Sequence, residues 1–129
     1  MPIDDAKSLQ ELEGNAWGEP ALGSHLVIRC HELRRQPLRD LNVEDLRLMI
    51  TQEIGLRYLV PIALTRLARD PFASGDIGFG DLLLSVIQVR GEFWEMHPDF
   101  RSELDIVVTD VAETIDRLLP AIRARFPRS

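Results

Sequence analysis

The sequence is short of cysteine, of lysine and of long apolar runs, and each scarcity narrows what the chain can be. One cysteine, Cys30, among 129 residues excludes an intramolecular disulfide and points to a reducing compartment. No apolar run approaches the roughly 18 residues of a membrane-spanning helix. Leu82-Leu83-Leu84 and Ile106-Val107-Val108 are broken within a few positions. Met1-Pro2-Ile3-Asp4-Asp5 offers neither a basic region nor an apolar core, so no secretory signal is read there. These features predict a cytoplasmic chain that engages no membrane. Lysine occurs once, at Lys7, while Lys and Arg together number 15. The bias has no functional reading.

Recognisable catalytic and metal motifs are absent too. The three histidines are His25, His31 and His97, and none accompanies a nucleophile in a strand-turn-helix motif such as GxSxG. One Cys and three scattered His do not make a zinc site. Gly75-Asp76-Ile77-Gly78-Phe79-Gly80 is rich in glycine but lacks the Gly-Lys-Ser/Thr ending of a phosphate loop, and reads most simply as a turn. Cys30 and His31 are chain neighbours. On a helix they point about 100° apart, which makes Cys30 a core residue and His31 its exposed neighbour. No catalytic residue, metal or cofactor is assigned. A small helical enzyme built on His25, Cys30, His31 and the Gly75–Gly80 loop is the alternative these residues leave open.

What is present is one domain's worth of ordinary globular composition, with 45% hydrophobic and 28% charged residues; the reading is a single domain over residues 1–129. The net charge is −6, which disfavours nucleic acid and favours basic partners. The acidity is concentrated. Asp4, Asp5, Glu11, Glu13 and Glu19 face only Lys7 in the first 20 residues, and Asp76, Asp81, Glu92, Glu95 and Asp99 face only Arg90 in residues 71–100. These blocks are solvated faces or a patch for a basic protein.

Proline, glycine and capping residues divide the chain into helices. Ser8 with Glu11 has capping-box spacing. Pro20 suits the first turn of a second helix, striped by Leu22, Leu26, Cys30 and Leu33 and ended by Pro37. Asn42 caps a third, with Glu44 and Asp45 in its first turn, Val43, Leu46, Ile50 and Ile54 inward, and Gly55 as its stop. Pro61 predicts a fourth helix starting near Leu59, with Ala63, Leu64 and Leu67 inward and Asp70-Pro71 at its end. Asp81 opens a fifth, with Leu82, Leu83, Val86 and Ile87 inward and Phe93 and Trp94 continuing that side. After His97-Pro98, the repeat Leu104, Val107, Val108, Val111, Ile115, Leu118, Leu119, Ile122 predicts a long last helix with an apolar stripe, kinked or restarted at Pro120. The fold class is an all-α bundle of about five to seven helices. Trp17 reads equally well as core or as an interface anchor, and Trp94 as core.

Within this pattern, Pro37-Leu38, Leu41, Glu44-Asp45-Leu46-Arg47, Ile50, Gln52 and Gly55-Leu56, followed by Leu59-Val60-Pro61 and Ala63-Leu64, resemble a family of bacterial contact-dependent growth inhibition immunity proteins. The likeness runs from Leu12-Glu13-Gly14 and Trp17 through Gly75-Asp76, Gly80-Asp81 and Phe93-Trp94, over about residues 12–104. Where the family usually has Gly-Asp-Phe-Tyr-Pro-Gly-Asp, this chain has Ile77-Gly78-Phe79 between its two Gly-Asp pairs. The resemblance implies an all-α protein that binds and neutralises the toxic C-terminal domain of a large effector, often a basic nuclease. Glu11, Glu13, Glu19, Asp76, Glu92 and Glu95 are then the candidate toxin-binding residues. A helical regulator or adaptor of another protein shares every bulk property of this reading.

Overall fold

A computed structural model describes residues 3–19 and 23–127. Among them are seven α-helices and no strand: α1 (Leu9–Glu13), α2 (His25–Leu33), α3 (Val43–Thr51), α4 (Leu56–Arg69), α5 (Asp81–Ile87), α6 (Gly91–Met96) and α7 (Pro98–Arg125), with a 3-10 turn at Leu38–Asp40 before α3. An isolated antiparallel bridge ties Ser8 to Pro37. The all-α expectation holds.

Local capping chemistry sets the starts of the first three helices. The Ser8 hydroxyl accepts the Glu11 N–H at 3.2 Å, and the Glu11 carboxylate accepts the Ser8 N–H at 3.3 Å, a reciprocal box. Asn42 and Asp45 repeat it on α3, at 2.8 and 3.1 Å. α2 begins later than Pro20 suggests. Ser24 caps it, while Pro20 and Leu22 lie outside the described residues. Of the expected α2 stripe, Cys30 and Leu33 are buried and Leu26 is exposed.

The α3–α4 junction departs from the sequence reading. α3 ends at Thr51, and Glu53, with φ +57°, takes the left-handed position that closes it. Gly55, with φ +62°, sits directly before α4. α4 starts at Leu56 and carries Pro61 inside. The lost N–H bond costs stability, but the continuous helix places Leu56, Leu59, Val60, Ala63, Leu64 and Leu67 in the core together, and that burial outweighs it. A Cβ on Gly55 would stand 2.7 Å from both Leu9 Cδ atoms. Gly55→Ala, strained in backbone and in packing, is expected to lose about 2–3 kcal/mol, read as a lower denaturant midpoint at unchanged m-value.

α5 packs chiefly on α3, and α7 on α4. The two pairs enclose one apolar core that includes Leu46, Met49, Ile50, Leu59, Leu67, Leu82, Val86, Phe93 and Trp94. The Trp94 indole N–H donates to the Val89 carbonyl at 3.2 Å, as a buried tryptophan requires. Ile87, expected inward, is exposed. The last helix differs most from expectation. It passes through Pro120 without interruption, yet only Leu104 and Val107 of its stripe are buried. Ile115, Leu118, Leu119 and Ile122 are between 36% and 52% exposed, because α4 ends at Arg69 and α7 continues beyond it. Among the described residues, no helix is long and apolar enough to cross a membrane.

Candidate functional site

The most constructed polar feature lies beneath the loop of residues 71–80. Asp81, in the first turn of α5, is buried. Its carboxylate accepts the N–H groups of Gly75 at 2.7 Å, Ile77 at 3.1 Å and Gly78 at 3.3 Å. From α3, Arg47 donates its Nε and Nη2 to the two oxygens of Glu44, and its Nε lies 3.9 Å from Asp81. Glu44 also accepts the Asp76 N–H at 3.3 Å. Two carboxylates from two helices, Asp81 and Glu44, thus hold the loop by its backbone, and Arg47 braces them.

The electrostatics agree with the geometry. Burial pushes the Asp81 carboxyl up, but the N–H groups of Gly75, Gly78 and Ile77, with the Arg47 charge, more than reverse this and leave it below the ordinary carboxylate range. The Arg47 hydrogen bonds do the same for Glu44. Gly75 has no room for a side chain. A Cβ there would lie 3.0 Å from the Glu44 Cα, so the loop backbone rests on α3.

A loop fastened at its base presents its tip. Ile77 is 74% and Phe79 84% exposed, and Phe79 stacks on Phe72 at 5.3 Å. Along α5, Leu84 and Ile87 are also exposed. Such side chains, held on a rigid base and rimmed by polar groups, characterise protein-binding surfaces. Sequence reasoning took Glu44 for a dipole-complementing acid and the loop for a plain turn. The missed signal was the i,i+3 pair Glu44–Arg47 together with two Gly-Asp pairs about 35 residues downstream, beyond the reach of local rules.

The six acids singled out from the sequence divide. Glu11 is held in the Ser8 capping box, Glu13 pairs with Arg34 at 2.7 Å, and Glu19 pairs with Arg35 at 2.9 Å. Asp76, Glu92 and Glu95 are exposed, and their carboxylates bond to no side chain among the described residues. Glu13 and Glu92 line one shallow hollow with Glu53, Arg57 and Arg90; the other four do not. Trp17 is half exposed. The Arg34 guanidinium lies 4.2 Å from its ring centroid, and the His31 ring meets it edge-on at 5.0 Å. Trp17 therefore clamps the loop of residues 14–19 onto α2.

The residues of the enzyme alternative do not converge. Cys30 is buried, and burial pushes its thiol above the ordinary range, which weakens it as a nucleophile. His25 is exposed, while the His31 Nδ1 lies 3.0 Å from the Gly18 carbonyl oxygen. A groove of about 940 Å³ is lined by Arg39, Arg57, Arg66 and Arg69 together with Asp4 and Asp5; Thr65 and His97 also line it, but the Thr65 hydroxyl donates to the Pro61 carbonyl rather than to the imidazole.

Comparison with known proteins adds one match. The family model of CDI immunity proteins matches residues 11–104, a span containing α2 through α6 and the whole Glu44–Arg47–Asp81 network. No curated protein matches the chain, and no solved structure does.

Proposed function

The chain belongs to the family of CDI immunity proteins, those of contact-dependent growth inhibition, and from that premise we propose that it binds the toxin domain of a cognate effector in the cytoplasm and silences it by binding rather than by catalysis. The family match carries this reading. The toxin is a basic nuclease, and the −6 charge of the chain complements it. The contact is centred on the 71–80 loop. Ile77 and Phe79 supply the apolar anchors, and the Asp81–Glu44–Arg47 base keeps them in place before the partner arrives. Preorganisation of this kind raises affinity by lowering the entropy lost on binding.

Glu11, Glu13, Glu19, Asp76, Glu92 and Glu95 are the proposed acidic contacts. Asp76, Glu92 and Glu95, whose carboxylates bond to no other side chain among the described residues, are the strongest of them and steer the approach. Reversing these three to arginine is expected to lower the association rate about tenfold and to flatten its salt dependence, measured by stopped-flow mixing at several ionic strengths. Equal rates for both proteins would place the interface elsewhere.

The function itself is tested in cells that express the toxin domain encoded beside this chain. Growth restored by the intact chain supports the proposal. Continued arrest, with both proteins present and folded, overturns it.

A further inference from the structure

We propose that the protruding half of α7 is a dimerisation helix, which pairs antiparallel with the same helix of a second copy. The stretch Ala112–Arg125 extends about 21 Å past the end of α4. Every side chain in it except the half-buried Thr114 is exposed. It nonetheless keeps a helical apolar stripe, Ile115, Leu118, Leu119 and Ile122, which continues from the exposed Val108 and on to Phe126. A helix this short, with a proline at position 120, is marginal on its own in water, and a partner along the stripe would stabilise it.

The charges of α7 identify the partner. Between Pro98 and Asp116 it carries six acids, Asp99, Glu103, Asp105, Asp110, Glu113 and Asp116, against Arg101; from Arg117 to Arg125 it carries Arg117, Arg123 and Arg125 and no acid. The helix is acidic first and basic last. Two copies side by side in the same direction set like charges together, whereas two copies in opposite directions set the basic end of each against the acidic stretch of the other. With the twofold axis at Ile115, Val108 lies opposite Ile122, Val111 opposite Leu119, and Asp105 comes near Arg123 and Arg125. Such an interface is isologous. With its flanking polar atoms it buries on the order of 1,000 Å² in total, the lower bound for a specific association. Pro120 points away from the stripe and leaves the pairing clear.

The test uses the full chain alone, independent of any toxin. The wild-type protein is expected to sediment at twice the monomer mass in the tens-of-micromolar range, and Ile115→Glu at the monomer mass with its helical circular dichroism intact. Mild oxidation should link Ile115→Cys to itself. It should not link Ile122→Cys to itself, because the two sites lie about 21 Å apart along the pair, but a mixture of Val108→Cys and Ile122→Cys should cross-link. Buried Cys30 does not compete. A wild-type chain that stays monomeric overturns the proposal. So does self-linking of Ile122→Cys as efficient as that of Ile115→Cys, which indicates a parallel pair. An Ile115→Glu variant that sediments like the wild type but captures less toxin also overturns it, and assigns the stripe to the toxin.

Discussion

Asp81→Asn is expected to lower folding stability by about 3 kcal/mol and to release the loop of residues 71–80. Asparagine keeps the shape of the side chain but brings one acceptor oxygen and an amide that cannot accept. The three N–H groups that converge on Asp81 then lose at least one partner. A fully buried orphaned donor costs about 1–3 kcal/mol; the three here lie in half-buried hydrogen bonds, and Arg47 also loses a nearby negative charge. Denaturant titration reads the stability. Amide exchange at Gly75, Ile77 and Gly78 reads the loop and should accelerate well beyond the global change.

The same network gives an acid signature. Asp81 and Glu44 both titrate lower in the folded chain than in the unfolded one. Their contribution is therefore fully present above the ordinary carboxylate range, about pH 4, and is lost as pH falls through the lower folded values. The stability gap between wild type and Asp81→Asn should accordingly be widest near neutrality and shrink on acidification below that range. A gap that stays constant down to the acid transition would mean that Asp81 contributes through shape and not through charge.

The second large effect concerns the loop tip. Ile77→Asp with Phe79→Asp is expected to weaken toxin binding by on the order of a hundredfold or more, since buried apolar anchors at interface centres each contribute about 2 kcal/mol or more. Stability should change little, because both side chains are mostly exposed; the principal intramolecular loss is the Phe72–Phe79 stack, worth about 1 kcal/mol. Asp81→Asn and the tip variant thus separate two roles. The first loosens the fold and weakens binding through disorder of the loop, while the second leaves the fold intact and removes the contact.

What could be read from the sequence was local. The Ser8–Glu11 box, the Asn42 cap, the end of α4 at Asp70-Pro71 and the break at His97-Pro98 depend on neighbours within a turn, and each stands in the structure. Pro61 misled because its cost is local and its compensation is not; the six core residues of α4 outweigh one absent hydrogen bond. The α7 stripe misled in the opposite sense. Periodicity reports which face a helix is able to bury, but whether another helix reaches that face depends on where α4 stops. The site was hidden for the same reason. Glu44 and Asp81 are far apart in the chain, and only the packing of α5 on α3 brings them to one loop. The family likeness spans these positions, and the structure supplies a physical reason for them, as the parts of the fold that hold the loop.

The most direct test of the account is calorimetric titration of the toxin domain encoded beside this chain with the wild-type protein and with the Ile77→Asp, Phe79→Asp variant. The account predicts a tight complex with the wild type and an affinity at least a hundredfold weaker for a variant that remains fully folded. Equal affinities would remove the 71–80 loop from the interface, and no binding by either protein would contradict the function proposed for the chain.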